Sequence, residues 1–270
     1  LAESLTVDRH DAADWNRLKE IFASNTLQMV SFTITEKGYS ITSPDGAFRA
    51  DVKADFEAGP ENADSYIGKL AALCYWRYTN GAAPLALVSM DNCSHNGDKL
   101  KAGVMSFVDA WVKNGIVEKE FADYMNDENQ VSFPWSMIDK ITPRPDENVK
   151  KMLEKDGFED TDLIITNRNT YTSPFVNSEE TGYLVIEDKF PNGRPPIDKA
   201  GILFTDRETV DKVEKMKVCT CLNPLHTALA IYGCLLSHTT IHGEMEDKEL
   251  STLVEKMCYQ EGMPVVVNPG

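Results

Sequence analysis

Residues 84–112 read PLALVSMDNCSHNGDKLKAGVMSFVDAWV, and this stretch carries the clearest indication of the fold class. Its first part, residues 84–90, is a short apolar run that suits a strand buried on both faces, as in a parallel sheet. A polar loop follows at residues 91–97, and residues 99–112 have the period of an amphipathic helix. Strand, loop and helix in this order form half of a βαβ unit. Because open α/β sheets bind ligands beyond the carboxyl ends of their strands, a site is expected at the loop that contains Asn92.

The segments on either side extend this α/β pattern. Hydrophobic periodicity predicts helices at residues 11–23 and 63–78, and strands at residues 29–35, 129–133 and 182–188. A turn is predicted at residues 36–39, and the Pro-, Gly- and Asp-rich residues 43–62 are predicted to be a loop. From about residue 205 onward the pattern is helical. We therefore predict an α/β domain over residues 1–196 and the start of a mostly helical domain over residues 197–270.

Composition restricts the class of protein. The chain has 270 residues, of which 42% are hydrophobic, so it can bury a sizeable core. Its formal net charge of -16 repels nucleic acid and anionic membranes. No run of 18 apolar residues is present, and the polar first residues do not resemble a signal peptide. We expect a cytoplasmic protein with neither a nucleic-acid nor a membrane partner.

The six cysteines do not form the paired pattern of a disulfide scaffold. Cys219 and Cys221, with His226 nearby, leave open a metal-dependent enzyme, although this spacing is not a common zinc pattern. The simpler interpretation is that the thiols are reduced and that the site contains no metal.

Five segments carry a family resemblance, and they occur in one order along the chain. They are SFTITEKGY (31–39), SMDNCSHNG (89–97), FPWSMIDKITP (133–143), FPNGRP (190–195), and EKMK (214–217) leading to LNPLH (222–226). Any one of them alone would be a weak signal. Together they resemble the mannitol dehydrogenase family over about residues 25–270.

The resemblance implies a Rossmann-type cofactor domain, here partial, followed by a mostly helical domain, with the active site between them. It implies a metal-independent oxidoreductase that uses NAD rather than NADP. The expected reaction interconverts a sugar alcohol or aldonate with the matching ketose or ketouronate, of the mannitol/fructose or mannonate/fructuronate type. The implied catalytic residues are Lys217 as the general base, Asn92 and Asn223 as hydrogen-bond donors to the forming alkoxide, and His226 as the residue that orients the substrate hydroxyls.

Other positions are expected to bind ligands. For the substrate these are Glu214, the acidic–basic pair Asp139 and Lys140, and Arg168; for the nicotinamide or ribose they are Thr33, Thr35, Glu36 and Asn92. Each position also has an ordinary structural interpretation. Lys217 could be a solvated helical lysine, Asn92 a turn residue, Asn223 a helix cap, and the Asp139–Lys140 pair a surface ion pair.

One spacing departs from the family pattern. Lys217 and Asn223 are six residues apart in this chain, whereas the resemblance implies five. On a regular helix at about 100° per residue, Lys217 and His226 would point to opposite sides. We therefore predict a π-bulge or kink between Cys219 and Asn223, which turns Lys217 back toward Asn223 and His226.

The Gly-rich phosphate loop of dinucleotide-binding folds does not occur in this sequence. We interpret the chain as an internal part of a longer enzyme, monomeric or dimeric, that acts on a small polyol or sugar acid. The alternative is a fragment that keeps the fold but serves a non-catalytic interaction or regulatory role.

Overall fold

The computed structural model describes residues 3–140, 144–165, 171–178, 180 and 182–269, and only the backbone of Asp139. Contacts divide the chain into two compact units, one made of Leu1–Met137 with Val185–Gly270 and the other of Ile138–Leu184. The larger unit thus contains residues from both sides of position 196. A functional division at that position, into cofactor and helical domains, remains a prediction.

A parallel sheet lies at the centre of the larger unit. It has three strands in the order β1 (Met29–Phe32), β2 (Leu85–Ser89) and β3 (Val131–Ser132). Met29 pairs with Ala86, and Leu85 pairs with Val131. Every residue of β2 is buried, which confirms the prediction of a strand covered on both faces.

Helices precede and separate these strands along the chain. They are α1 (Ala12–Ala23), α2 (Thr35–Gly38), α3 (Ala50–Ala58), α4 (Tyr66–Thr79), α5 (Asn96–Lys113) and α6 (Lys119–Asn126), with a 3₁₀ turn at Pro60–Asn62. The helices predicted at residues 11–23, 63–78 and 99–112 are confirmed. Leu100, Phe107 and Trp111 on α5 are completely buried, so α5 supplies much of the core.

Two local predictions are wrong. Residues 43–62 are not all loop, because α3 lies within them and buries Val52. Its Phe56 ring packs edge-on against Phe107 of α5, with ring centroids 5.0 Å apart, so a tertiary contact outweighs the loop-like composition. The first strand ends at Phe32 instead of residue 35, and the predicted turn is the short helix α2.

A second sheet contains β4 (Ser136–Asp139), β7 (Tyr183–Glu187) and β8 (Leu203–Thr205) in that order. β7 and β8 are parallel, with Val185 opposite Leu203. The strand predicted at residues 182–188 is therefore confirmed. The smaller unit contains α7 (Glu147–Lys155) and the antiparallel pair β5 (Ile164–Ile165) and β6 (Tyr171–Thr172).

The last part of the larger unit is helical, as predicted. Its elements are a 3₁₀ turn (Ile197–Ala200), α8 (Arg207–Glu214), a π segment (Lys215–Leu222), α9 (Asn223–Leu235), α10 (Ile241–Glu246), α11 (Lys248–Lys256), a second π segment (Met257–Gly262) and a 3₁₀ turn (Met263–Val265). The continuous helix Arg207–Leu235 is long and apolar enough to cross a membrane by length and composition alone. One such helix is a weak indication, because core helices of soluble proteins pass the same test.

A buried arginine connects the elements that lead into β1 and β2. Arg77 of α4 is 1% exposed. Its guanidinium donates hydrogen bonds of 2.6–3.1 Å to the carbonyl oxygens of five residues: Phe22, Ser24, Leu27, Ala83 and Pro84. The first three lie at the end of α1 and before β1, and the last two come just before β2. Arg77 therefore holds the starts of both strands together.

Replacing Arg77 with methionine is expected to lower the free energy of unfolding by about 3 kcal/mol or more, because five carbonyl groups lose a buried donor. The matched change is Arg17→Met, which removes a solvent-exposed guanidinium paired with Glu3 and Glu20 and should cost much less, because exposed ion pairs contribute little to stability. Urea denaturation measures both variants. Equal losses of unfolding free energy in the two variants would show that the Arg77 hydrogen bonds stabilise the fold no more than a surface ion pair does.

Candidate active site

The loop after β2 is fixed at both ends by side-chain to backbone hydrogen bonds. Asn96, which is 1% exposed, donates from Nδ2 to the carbonyl oxygen of Asp91 at 2.8 Å and to that of Ser136 at 3.0 Å. Its Oδ1 accepts from the Ser136 amide at 3.0 Å. Asn92 lies between these fixed points with an exposed side chain. The candidate alkoxide donor is therefore carried by a short, well-anchored loop.

Asp91 joins this loop to the turn after β1. Its carboxylate accepts hydrogen bonds from the amides of Ile34 at 2.9 Å and Thr35 at 3.0 Å, and from the hydroxyl of Tyr39 at 2.5 Å. Burial, followed by the contact with Asp91, raises the pKa of Tyr39, so this hydroxyl remains a donor. The loops that follow β1 and β2 thus share one carboxylate.

The predicted cofactor residues lie at this edge of the sheet. The side chains of Thr33, Thr35 and Glu36 are exposed just beyond the carboxyl end of β1. Glu36 pairs with Lys99 of α5 at 2.9 Å. Because Asn92 follows β2, the adjacent parallel strand, the structure places these four polar residues at the same end of the sheet.

His95 brings the loop into contact with α8. Its backbone is left-handed, with φ of 48°, and its amide donates to Oε2 of Glu214 at 3.1 Å. The imidazole Nε2 lies 3.3 Å from Oδ1 of Asp211, and the ring stacks on Trp135 at 4.2 Å between centroids. Glu214 is buried, with 5% exposure. The loop that carries Asn92 therefore lies against the helix that leads to Lys217.

The helix is irregular where Lys217 lies. The π segment Lys215–Leu222 contains an amide-to-carbonyl bond from Asn223 to Val218, five residues back. The Thr220 hydroxyl likewise donates to the carbonyl of Lys215 at 3.0 Å. The predicted irregularity is confirmed, but it begins before Cys219 and includes Lys217 itself. A regular α-helix would place Lys217 and His226 on opposite sides, and that argument does not apply to a π segment.

The predicted catalytic residues differ in exposure. Lys217 is part-buried within the π segment, whereas Asn223 and His226 are exposed on the first turns of α9. Pro224 occupies the start of α9, where its missing amide hydrogen costs little. Their catalytic roles remain predictions.

Three predicted substrate residues lie elsewhere. Asp139 and Lys140 belong to the smaller unit, and Lys140 donates to the carbonyl oxygen of Glu180 at 3.1 Å. Arg168 lies outside the described residues. Their assignment to the substrate therefore remains a prediction.

The sequence placed Asp91 in the loop where a site was expected, but it assigned no role to the residues that hold the site together: Tyr39, Asp91, His95, Asn96 and Asp211. One signal was available in Gly97, which follows Asn96 at the start of α5. A Cβ atom there would lie 2.5 Å from the carbonyl oxygen of Phe133 and 2.8 Å from Trp135 Cδ1, so only glycine fits. The other contacts join residues far apart in the chain, which local patterns do not reveal.

The zinc hypothesis receives no support from the geometry. Over the described ranges, no group of three or more His, Cys, Asp or Glu side chains is placed to hold a metal ion. Cys219 is exposed and Cys221 is part-buried in the π segment, while His226 is exposed on α9.

The parallel sheet and the loops just described place the chain in the class of Rossmann-type α/β proteins, a fold in which ligands lie beyond the carboxyl ends of the strands. The sequence profile of the mannitol dehydrogenase Rossmann domain matches residues 11–199. The chain belongs to the mannitol dehydrogenase family.

Named relatives agree with this assignment. A D-mannonate oxidoreductase of Thermotoga maritima is 52% identical over 259 residues, which is 95% of this chain and 48% of the relative. The structure of Pseudomonas fluorescens mannitol 2-dehydrogenase with NAD and D-mannitol superimposes with a TM-score of 0.72 at 28% identity, covering 95% of this chain and 48% of that one. The structure of a substrate-free D-sorbitol dehydrogenase superimposes with a TM-score of 0.76 at 26% identity, covering 96% of this chain and 49% of that one. The chain spans about half the length of the relatives it matches.

Thiol labelling tests the zinc hypothesis. A thiol reagent at about pH 8 is expected to modify exposed Cys219 in the folded protein. Cys74 should be spared, because burial blocks access and raises the pKa of its thiol to about 12. Added Zn²⁺ should leave the labelling rate of Cys219 unchanged, as followed by peptide mass spectrometry. Protection of both Cys219 and Cys221 by zinc would restore the metal hypothesis.

The contact between Glu214 and His95 is tested by a pair of substitutions. Glu214→Gln retains an oxygen that accepts from the His95 amide, whereas Glu214→Leu removes it. Hydrogen exchange at the His95 amide is expected to accelerate by about tenfold in the leucine variant and to change little in the glutamine variant. Equal exchange rates in the two variants would show that Glu214 does not hold the loop.

Proposed function

We propose that this chain belongs to an NAD-dependent, metal-independent oxidoreductase. It would contain the catalytic lysine and the sheet edge that binds the cofactor. The reaction would interconvert a sugar alcohol or aldonate with its ketose or ketouronate. The observation that supports this most directly is the 3.1 Å bond between the His95 amide and Glu214. It brings the loop of Asn92 against the helix of Lys217, in a chain of the mannitol dehydrogenase family.

Lys217 is the proposed general base. In the oxidative direction its Nζ takes the proton of the substrate hydroxyl, and in the reductive direction an ammonium at the same atom returns it. Proton transfer by a positioned side chain typically contributes a factor of about 10²–10⁴ to the rate. Lys217 is part-buried, and it lies in the π segment that leads to Asn223.

Asn92 and Asn223 are proposed to donate hydrogen bonds to the alkoxide as it forms. Amide donors suit this task because they are neutral, and their direction is set by the backbone that carries them. Hydrogen bonds at both ends of the Asn92 loop supply that rigidity. His226, exposed one turn into α9, would orient the remaining substrate hydroxyls, and buried Glu214 would lie beside them.

The exposed residues at the sheet edge fit one end of NAD. Thr33, Thr35, Glu36 and Asn92 would bind the nicotinamide and its ribose, because they lie where open α/β sheets bind ligands. Bound NAD supplies the acceptor for the hydride that leaves the substrate carbon. NAD, rather than NADP, is the cofactor named for the mannitol 2-dehydrogenase structure that this chain resembles.

The 52% identity to a D-mannonate oxidoreductase favours the mannonate/fructuronate pair over mannitol/fructose. An aldonate carries a carboxylate, and cationic side chains such as Lys140 and Arg168 are candidates to bind it. The chain would act as part of a soluble cytoplasmic enzyme, monomeric or dimeric.

Lys217→Ala is expected to lower kcat by about 10²–10⁴, because it removes the group that moves the proton. Rates would be measured in the intact protein with both pairs, mannitol/fructose and mannonate/fructuronate. The matched control is Lys212→Ala on the same helix, whose lysine pairs with Glu208 on the surface and whose loss should leave kcat unchanged.

An unchanged rate in the folded Lys217→Ala variant would remove Lys217 from the mechanism. Absence of activity on both pairs in the unsubstituted protein would instead favour the non-catalytic interaction role.

A further inference from the structure

Asp91 connects two loops that have different roles in the proposed reaction. The turn after β1 would bind the cofactor, and the loop after β2 carries the proposed alkoxide donor. Asp91 Oδ2 accepts from the amide of Ile34 at 2.9 Å, and its Oδ1 accepts from the amide of Thr35 at 3.0 Å. These amides belong to the turn after β1, and Asp91 itself follows β2. A single side chain thus fixes the distance between two strand ends that are more than fifty residues apart in the sequence.

The turn that Asp91 holds is strained. Thr35 has φ of 61°, in the left-handed region, which a β-branched residue rarely adopts. Such a conformation persists only where the surroundings require it. Here two consecutive amides point to the same carboxylate, so Asp91 stabilises the conformation that exposes Thr33, Thr35 and Glu36.

The backbone of Asp91 is fixed as firmly as its side chain. Its carbonyl oxygen accepts from Nδ2 of buried Asn96 at 2.8 Å. Asn92 is the next residue, so the direction in which its side chain leaves the loop depends on the orientation of Asp91. The same residue therefore sets the position of the exposed β1 turn and of the proposed alkoxide donor.

Tyr39 completes the surroundings of the carboxylate. Its buried hydroxyl lies 2.5 Å from Asp91 Oδ2 and 2.5 Å from Ser89 Oγ. Three donors thus hold one carboxylate, two from the backbone and one from a side chain. Both oxygens of the carboxylate accept hydrogen bonds in these contacts, which suits a structural support for the site and leaves proton transfer to Lys217.

We propose that Asp91 is a positioning residue that sets the geometry between the nicotinamide-side turn of residues 33–36 and the alkoxide donor Asn92. This proposal rests on the proposed dehydrogenase function. Asp91 does not itself contact the reacting atoms; it acts through Asn92 and the β1 turn. Misplacement of a reacting group by about 1 Å can cost about 10² in rate, so a support of this kind affects turnover strongly.

The test is Asp91→Asn, which keeps the size of the side chain but replaces one accepting oxygen by an NH₂ group. One of the two backbone amides then faces a donor. In the intact protein, kcat/KM with mannonate/fructuronate or mannitol/fructose is expected to fall by about 10²-fold, with a higher KM for NAD. Amide hydrogen exchange at residues 34 and 35 should accelerate, while the buried strand β2 stays protected.

Asp55 provides a matched control in the same unit. Its buried carboxylate accepts from the amides of Asp64 at 2.9 Å and Ser65 at 2.8 Å, and from the hydroxyl of Ser65 at 2.5 Å. Asp55→Asn therefore makes the same chemical change opposite the same kinds of donor, two backbone amides and one hydroxyl. It makes this change at the start of α4 and not at the candidate site. It should lower the melting temperature at least as much as Asp91→Asn and leave kcat and KM near their original values.

Tyr39→Phe is the second variant, for use if Asp91→Asn does not fold. It removes one donor and keeps both backbone amides, so a smaller fall in kcat/KM, of about fivefold, is expected. Equal effects of Asp91→Asn and Asp55→Asn on kcat/KM would overturn the positioning role, as would unchanged kinetics in both Asp91→Asn and Tyr39→Phe.

The outcome also separates the two proposals. Inactivity of the unsubstituted protein with both substrate pairs overturns the proposed function, and the positioning role falls with it. Faster exchange at residues 34 and 35 in Asp91→Asn would still show that the carboxylate holds the turn. Unchanged exchange there, in an active protein, overturns the positioning role alone.

Discussion

The larger unit depends on the hydrogen bonds that the buried guanidinium of Arg77 donates. The guanidinium donates to five carbonyl oxygens that precede β1 and β2, and so holds the two strands at a common starting level. The two strands are paired from Met29 and Ala86 to Phe32 and Ser89, so they also end together, and residues proposed to bind cofactor and substrate lie just beyond those ends. Backbone carbonyls satisfy this buried cation in place of a carboxylate.

At the opposite end of the sheet, polar side chains again bind backbone groups, and two of them are carboxylates that accept from backbone amides. Asp91, Asn96 and Glu214 each bind backbone groups of a different element: the β1 turn, the start of β4 and the loop at His95. One such hydrogen bond contributes only about 1 kcal/mol, but leaving a buried partner unsatisfied costs more. The candidate site is therefore made of polar contacts that position loops, and the residues proposed for chemistry remain exposed or part-buried among them.

The π segment Lys215–Leu222 resolves a conflict between the sequence and a regular helix. The helix enters it from α8, whose Glu214 contacts the Asn92 loop, and leaves it at Asn223 and Pro224. Because its backbone hydrogen bonds reach five residues back, the π segment accommodates the additional residue between Lys217 and Asn223 without breaking the helix. π segments occur often at functional sites, in agreement with the role proposed for Lys217.

Elements with local signals were predictable from the sequence: the buried strand β2, the amphipathic helix α5, the helical last part of the chain, and the need for an irregular turn near Lys217. Its motifs also identified the family. The folded structure was needed to show that α3 forms within a loop-like segment, that Thr35 adopts a left-handed turn, and that Asp91, His95 and Glu214 hold the site together. The physical reason is distance along the chain. Periodicity and capping act over a few residues, whereas Asp91 meets Thr35 across 56 residues and His95 meets Glu214 across 119, so these contacts exist only once the chain has folded.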